Sequence, residues 1–217
     1  MKMKNQDSKL TKKSRDELLE ILSKIFVDPK SELNFNNPFE LLCAVVLSAQ
    51  TTDIAVNKVT PALFAKAPDA KSMKNLEQSD LEGMIKSIGL YKNKAKNLIA
   101  LSKILDESYN GVVPEDYNLL IKLPGVGSKT AKVVLNVAFG HPTVAVDTHI
   151  FRVCNRTGFC LGKDAKAVED KIVGLIDEKY LKIAHHLLLL HGRYVCKAKN
   201  PDCQNCMIFN ICKKINV

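Results

Sequence analysis

The chain has 217 residues, a length that suits one large domain or two small ones sharing a core. Hydrophobic residues make up 46% and charged residues 25% of the sequence, which is typical of a globular protein and excludes a wholly disordered chain. The 32 Lys and Arg residues outnumber the 23 Asp and Glu residues, which favours a polyanionic partner, while the absence of Trp argues against a stacking platform for single strands.

The first 15 residues are rich in Lys and Arg. No apolar segment follows them, so they do not form a secretory signal, and their charge predicts a solvated, disordered tail. The longest apolar run, residues 41–47, is far too short to span a bilayer. These features together predict a cytoplasmic protein without a membrane partner, associated with the nucleoid if the source is bacterial.

Helical spacing of apolar residues begins close to the N-terminus. Ser14 and Glu17 match a capping box, in which each side chain bonds the backbone amide of the other, ahead of a first helix. Asn37 followed by Pro38 matches a cap and a first-turn proline, and these two residues open a strongly apolar second helix.

The same spacing continues through the remainder of the chain. Ser79 and Glu82 match another capping box, before a short helix that ends near Gly89. Residues 91–108 are amphipathic, and their polar positions include Lys92, Lys94, Lys96 and Lys103. Further helices are predicted at residues 116–122, 128–139, 148–157, 164–177 and 181–195. Because no segment shows a convincing period of two, we predict an all-α protein.

Residues 123–127, Leu-Pro-Gly-Val-Gly, join two of these helical segments. Pro124 presets one backbone dihedral and Gly125 tolerates a positive φ, which suits a tight turn. Gly125 and Gly127 carry no side chain, so their amides can approach a phosphate, and the N-terminus of the next helix adds to the attraction. Such a hairpin holds a nucleic-acid backbone without reading its sequence. The alternative is a plain helical hairpin whose glycines only turn the chain.

Two residues at predicted helix starts, one after the glycine turn and one further along the chain, could carry out chemistry. Lys129 lies in the first turn after the glycines, where the helix N-terminus and burial against DNA would oppose protonation of its amine. A neutral amine can attack carbon, although a lysine here could also act only as a phosphate-binding charge. Asp147 directly precedes a helical run, where an aspartate is a favoured N-cap, and a capping carboxylate can still serve a reaction.

Four cysteines crowd the C-terminal 22 residues, at Cys196, Cys203, Cys206 and Cys212. In a chain without an export signal, such a cluster predicts a metal site rather than disulfides. Four thiolates suit either zinc or a [4Fe–4S] cluster. One C-x2-C pair with two longer gaps fits the usual zinc pattern poorly, so the cluster is favoured. The surrounding loop is basic, since it carries Lys197 and Lys199.

Together these segments resemble the endonuclease III branch of the helix-hairpin-helix DNA glycosylases. The resemblance runs from about Phe39 to Cys212. It covers residues 47–53 (LSAQTTD), 88–91 (IGLY), 123–129, 144–153 (VAVDTHIFRV) and 191–194 (HGRY), and the four-cysteine spacing. It implies two α-helical domains with DNA in the cleft between them. A six-helix domain would span residues 31–141, and a cluster domain would combine residues 1–30 with 142–217.

The resemblance also implies an activity and a set of site residues. The chain would be a monomeric DNA glycosylase and abasic-site lyase of base excision repair, which removes oxidised pyrimidines from duplex DNA and nicks the strand by β-elimination. Lys129 matches the nucleophile that forms a Schiff base, Asp147 the catalytic aspartate, and the four cysteines the [4Fe–4S] ligands. Gln50 and Leu90 match side chains that fill the gap left by the flipped nucleotide. The full set of expected DNA contacts is Gln50, Leu90, Gly125, Gly127, Thr130, His149, Lys197 and Lys199.

Two alternatives to this activity stay open from the sequence. One is a sibling glycosylase for adenine or for mismatched thymine or uracil, which Lys129 disfavours because enzymes that only activate water typically lack the lysine. The other is a non-catalytic, zinc-stapled DNA-binding module. It would be colourless when pure, and it would bind undamaged duplex with strong salt dependence and cleave nothing.

Overall fold

The computed structural model describes residues 9–217, and these residues form α-helices and two short 3₁₀ helices, with no β-strand. The predicted all-α class is confirmed. The helices are α1 (Lys12–Ile25), α2 (Pro38–Leu47), α3 (Asp53–Lys66), α4 (Ala70–Lys74), α5 (Gln78–Ile85), α6 (Tyr91–Tyr109), α7 (Tyr117–Leu120), α8 (Ser128–Phe139), α9 (Thr148–Thr157), α10 (Ala165–Ile172) and α11 (Ala184–Tyr194). The 3₁₀ helices are Val173–Leu175 and Glu178–Tyr180.

The N-terminal prediction is wrong in two respects. Helix α1 begins at Lys12, because the Thr11 hydroxyl accepts a hydrogen bond from the Ser14 amide at 3.2 Å and takes the capping role predicted for Ser14. Residues 12–15 are therefore helical and not part of a disordered tail. The Arg15 guanidinium also donates to the Leu10 carbonyl at 2.7 Å. The part of the predicted tail in residues 1–8 lies outside the described residues.

Three further helix predictions need correction. Helix α5 begins at Gln78 with no side-chain cap, so the capping box at Ser79 is wrong, and the helix ends at Ile85 rather than near Gly89. The predicted helix at residues 164–177 ends at Ile172 and continues only as a short 3₁₀ turn. Helices α3 and α4 were not expected, and each starts at a capping side chain, Thr52 and Asp69 respectively.

Contacts divide the chain into two compact units, which we name by their contents. The hairpin unit is Ser31–Gly140, and the cysteine unit combines the segment up to Lys30 with His141–Val217. The hairpin unit, which is fully described, contains seven helices, α2 to α8, and two of them, α4 and α7, are short and start at aspartate caps.

The core of the hairpin unit is built around α2 and α6. Nearly every residue of α2 is buried, as its uniformly apolar sequence requires, and α2 packs against α8. Helix α6 packs against α4 and α5 through Leu98, Leu101 and Leu105, which are fully buried. The arrangement presents the N-termini of α6 and α8, with the turns before them, at the surface.

The core of the cysteine unit joins the two ends of the chain. Leu18 and Leu22 of α1 are fully buried in the same cluster as Ile150 of α9 and Leu187 of α11. The C-terminal segment runs beside the end of α9, where the Lys213 amide donates to the Thr157 carbonyl at 3.1 Å. Among the described residues, no helix combines the length and the apolar character that crossing a membrane needs.

Candidate functional site

The turn between α7 and α8 is the tight glycine turn that the sequence predicts. Gly125 has φ +79°, and a Cβ atom there would lie 3.0 Å from Cβ of Asn97 on α6. Both the backbone conformation and the lack of space therefore favour glycine at this position. Gly127 caps α8 with an extended backbone and makes no side-chain cap bond, because glycine has no side-chain oxygen to offer the first amides of the helix.

Lys129 lies in the first turn of α8 and is exposed. Its charge acts on Asp53, a half-buried residue at the start of α3 in the same unit. Burial raises the pKa of the Asp53 carboxyl, and the positive charge of Lys129 opposes that rise. Asp53 is thus an electrostatic neighbour of Lys129.

Gln50 and Leu90 both lie on exposed loops of the hairpin unit with left-handed backbones. Their φ angles are +54° and +59°, which is uncommon for residues other than glycine. Leu90 is 54% exposed, although it is a large apolar residue that would ordinarily be buried. A Cβ atom on Gly89 would lie 3.8 Å from the Gln50 carbonyl oxygen, so the two loops are neighbours.

Thr130 and Asp147 occupy the helix starts predicted for them. Thr130 follows Lys129 in the first turn of α8 and is half-buried. Asp147 caps α9 in the cysteine unit, where its Oδ1 accepts from the Ile150 amide at 2.8 Å. The Val146 amide before it donates to Glu169 of α10 at 3.2 Å. These bonds fix the backbone and one oxygen of Asp147, so its carboxylate has a defined position in its unit.

His149 and the basic loop lie in the same unit as Asp147. The Arg152 guanidinium lies 3.1 Å from Nδ1 of His149, and because arginine only donates, this nitrogen accepts and the proton of the neutral ring belongs on Nε2. Arg152 also donates to the carbonyl oxygens of Gly192 and Cys196 at 2.7 and 2.8 Å. Lys197, in the loop after Cys196, is exposed, as is Lys199.

All four clustered cysteines line a single pocket of the cysteine unit. Each is half-buried. Burial raises the pKa of the Cys206 thiol, and the negative charges of Cys212, Cys196 and Cys203 raise it further, so the four sulfurs interact. In residues 9–217, no three His, Cys, Asp or Glu side chains converge on a position for one metal ion. The pocket thus brings the four thiols together.

Arg156, one turn after Arg152 on α9, holds the start of the cysteine loop. Its guanidinium donates to the carbonyl oxygens of Lys197 and Ala198 at 2.6 and 3.0 Å, and to the Cys196 sulfur at 3.7 Å. The helix that Asp147 caps is therefore bonded directly to the segment that carries the first cysteine.

The three remaining cysteines are buried in cores and not in a site. Cys43 lies inside α2, as predicted, and burial raises its pKa. Burial also raises the pKa of Cys154 and Cys160, whose environments the sequence leaves open. Thiols in this state are poor nucleophiles.

Sequence patterns missed several side chains that the structure brings to these places. Lys94 of α6 was expected on the polar face but is 4% exposed, and its amine donates to the Thr51 hydroxyl at 2.7 Å. The sequence does carry a signal for the burial of Lys94, because this residue shares the helical spacing of Leu98 and Leu101. Asp53 carried no comparable signal, since its proximity to Lys129 depends on how α3 and α8 pack.

Comparisons with known proteins agree with this geometry. Residues 43–178 match the family described as HhH-GPD superfamily base excision DNA repair protein. The chain is 53% identical over 197 residues to endonuclease III of Rickettsia conorii, which covers 91% of this chain and 94% of the relative. It is 50% identical over 204 residues to endonuclease III of Escherichia coli K12, covering 94% and 97%.

Solved structures show the same likeness. A trapped endonuclease III–DNA covalent intermediate superimposes with a TM-score of 0.88 at 47% identity, covering 94% of this chain and 97% of that one. A non-covalent endonuclease III–DNA complex gives the same TM-score and identity, covering 94% and 96%. A thermostable thymine-DNA glycosylase follows at 0.82 and 25% identity, covering 93% and 96%. The chain belongs to the HhH-GPD superfamily of base excision DNA repair proteins, within its endonuclease III family.

Proposed function

We propose that this base excision repair glycosylase and lyase removes oxidised pyrimidines from duplex DNA as a monomer, with Lys129 as its nucleophile. The observation that carries the proposal is the place of Lys129, in the exposed first turn of a helix that begins at an uncapped glycine turn. A phosphate bound at that turn would bring a DNA backbone within reach of the amine.

The hairpin supplies the grip on the DNA backbone. A Cβ atom on Gly127 would meet nothing within 4 Å, and its φ of −92° is available to any residue. The fold therefore does not require glycine at this position, whereas close approach of a phosphate to the amides of α8 does. Thr130, in the same turn, would add a hydroxyl contact to the backbone.

The chemistry follows from a neutral amine and a fixed carboxylate. Lys129 forms a bond to C1′ as the glycosidic bond breaks, and the base leaves with the electron pair and takes up a proton. Asp147 stabilises the positive charge that develops on the sugar. The adduct at C1′ still carries the ring oxygen, so the amine loses a proton, the C1′–O4′ bond breaks and O4′ takes up a proton, which leaves a Schiff base on the opened sugar. The Schiff base acidifies the 2′ hydrogen, whose loss breaks the C3′–O bond and releases the 3′ phosphate. Among the relatives, one endonuclease III is described as a trapped covalent intermediate with DNA.

Access to C1′ requires that the damaged nucleotide leave the helix, and damage lowers the cost of this step. Gln50 and Leu90 would fill the vacated space, as inserted side chains do in other DNA-kinking proteins. Their exposure on adjacent loops supports this role. His149, Lys197 and Lys199 would contact the DNA backbone from the cysteine unit.

The cysteine pocket offers four thiol ligands in one place, together with the apolar residues Ile208 and Phe209. Four thiolates suit a [4Fe–4S] cluster, and their spacing along the chain, with one C-x2-C pair and two longer gaps, fits the usual zinc pattern poorly. Cys196, Cys203, Cys206 and Cys212 would hold the cluster. When bound, the cluster cross-links the basic loop and offers one-electron redox chemistry.

Borohydride reduction tests the proposed nucleophile. The wild-type chain should be trapped covalently on duplex DNA that contains an abasic site, because reduction makes the Schiff base permanent. Lys129→Gln should abolish trapping and keep DNA binding. Lys122→Gln, an exposed lysine just before the turn, is the matched control and should keep trapping.

Trapping that survives in Lys129→Gln would mean that another amine is the nucleophile. A nicking assay on duplexes carrying thymine glycol or uracil then tests the substrate class. Nicking at thymine glycol and not at uracil supports oxidised pyrimidines, and the reverse pattern would assign the chain to the uracil-removing glycosylases.

A further inference from the structure

Two costly backbone conformations lie side by side on the surface of the hairpin unit. Gln50 and Leu90 both have a positive φ, and the backbone of Gly89 approaches the Gln50 carbonyl oxygen. Such conformations are costly for residues other than glycine and persist only where neighbouring groups hold them. The structure therefore needs a device that holds both loops.

Lys94 is a buried charged residue whose hydrogen bonds reach both loops. It is 4% exposed, whereas Lys92 and Lys96 on the same helix are exposed. Burying an ammonium group is expensive unless it is hydrogen-bonded, and the Lys94 amine donates to the Thr51 hydroxyl at 2.7 Å. Burial lowers the pKa of Lys94. A lysine that faces solvent would not pay this desolvation cost. The burial of Lys94 therefore indicates that its amine has a structural or functional role.

The Thr51 hydroxyl continues the connection around Gln50. It donates to the Ala49 carbonyl oxygen over a long contact of 3.4 Å, and Ala49 and Thr51 are the two chain neighbours of Gln50. On the other side, the Lys94 amide donates to the Leu90 carbonyl at 3.0 Å, which closes the first turn of α6. One lysine is thus hydrogen-bonded to the turn that carries Gln50 and to the residue Leu90 itself.

We propose that Lys94, acting through the Thr51 hydroxyl, is a positioning residue that locks Gln50 and Leu90 into one preformed wedge. The proposal rests on the proposed function, since it assumes that these two side chains enter the gap left by the flipped nucleotide. A preformed wedge avoids the cost of ordering two loops at the moment of insertion. Without the bond the two loops would move independently, and insertion would slow before any chemistry occurs.

We call the hydrogen bond between the Lys94 amine and the Thr51 hydroxyl the clasp. Four substitutions separate the effect of losing the clasp from general effects on stability and charge. Thr51→Val keeps the shape and removes the hydroxyl, whereas Thr51→Ser keeps the hydroxyl. Lys94→Met removes the buried amine without leaving a charge, and Lys96→Met removes an exposed charge from the same helix. Melting temperatures of all four variants show whether each is folded under the assay conditions.

Two readouts separate insertion from chemistry. The first is the fluorescence rise of 2-aminopurine placed opposite a tetrahydrofuran abasic analogue in duplex DNA, which reports insertion without a reaction. The second is borohydride trapping at an abasic site inside an unpaired bubble, which reports the Lys129 amine where no wedge is needed.

The expected result is a loss of insertion alone. Thr51→Val and Lys94→Met should slow the fluorescence rise by about tenfold, less than the roughly hundredfold that a 1 Å misplacement can cost, and should leave bubble trapping nearly unchanged. Thr51→Ser and Lys96→Met should behave like the wild type in both assays. Unchanged fluorescence in Lys94→Met, or equal losses in both readouts, would overturn the clasp. Failure of wild-type bubble trapping would instead count against the Lys129 chemistry, because the fluorescence readout does not depend on it.

Discussion

The two glycines of the hairpin turn have different physical reasons to be glycine. At Gly125 both the positive φ and the contact with Asn97 exclude a side chain, so the fold itself requires this residue. At Gly127 neither condition applies. A sequence pattern treats the two positions alike, and only the packing of α6 against the turn distinguishes them. The difference predicts opposite consequences for substitutions at the two positions.

Gly127→Ser should stabilise the protein and weaken its hold on DNA. Serine is a better helix cap than glycine by a few tenths of a kcal/mol, and its hydroxyl would occupy the same amides that a phosphate would use. Urea unfolding and a duplex-binding titration measure the two effects. Gly125→Ala is the comparison, expected to lose about 1–2 kcal/mol of stability through strain. A Gly127→Ser variant that binds DNA as tightly as the wild type would show that the amides of α8 are not the phosphate site.

Lys94 predicts a pH dependence of stability whose sign follows from burial. Because burial lowers its pKa in the folded chain from about 10.4 in the unfolded chain, the unfolded state binds more protons between those values, and stability rises with pH there. Relative to Lys94→Met, the wild type should therefore gain stability as pH rises through the lowered folded-state pKa of Lys94 towards the unfolded value of about 10.4. Urea unfolding at several pH values measures this. The stability difference between the wild type and Lys96→Met, which changes an exposed lysine, should not vary with pH. A stability difference between the wild type and Lys94→Met that does not vary with pH would contradict the burial of Lys94.

At the level of helices, local signals decided which predictions succeeded. The bounds of α8 and α9 are as predicted, because each begins after a capping position and ends at a glycine in the left-handed conformation, Gly140 and Gly158. Helix α3 was missed because Pro61 lies inside it and reads as a helix breaker. The burial of Lys94 was missed because residue type outweighed its spacing. Local chemistry thus predicts helix ends where a capping position and a left-handed glycine mark them, as at α8 and α9, and predicts tertiary burial poorly.

Helix α9 allows the two roles of Asp147 to be separated. Asparagine is as good an N-cap as aspartate, so Asp147→Asn should keep the stability of the unit while lowering the rate of base removal by roughly a hundredfold. Asp147→Ala should lose the cap as well, at a cost of about 1 kcal/mol. Thermal unfolding and single-turnover nicking measure the two effects. Full activity in Asp147→Asn would leave Asp147 with a capping role alone.

For the whole molecule, composition predicts a polyanionic partner, whereas tertiary packing determines which side chains hold the basic loop after Cys196. The net charge of +9 indicates a polyanion, and two basic contacts expected with DNA, Lys197 and Lys199, lie exposed on the loop after Cys196. That loop is held by Arg152 and Arg156. Neither arginine could be assigned from spacing, because their partners lie about 40 residues later in the chain.

The basic loop makes a prediction about salt. Each phosphate contact that is lost should lower the slope of log affinity against log salt by about one. Lys197→Gln and Lys199→Gln should each produce that change on damaged and undamaged duplex alike, because backbone contacts carry no sequence information. Lys86→Gln, an exposed lysine of the hairpin unit outside the predicted contacts, should leave the slope unchanged. Equal slopes in the wild type and both loop variants would remove the loop from the DNA interface.

We propose that the amine of Lys129, at the start of α8, forms the covalent bond to DNA. The most direct measurement is mass spectrometry of peptides from the borohydride-trapped complex after digestion of protein and DNA. A reduced sugar adduct is expected on Lys129, in the peptide that follows Gly127. An adduct on Lys94, on Lys132 or on the N-terminal amine, with Lys129 unmodified, would contradict it.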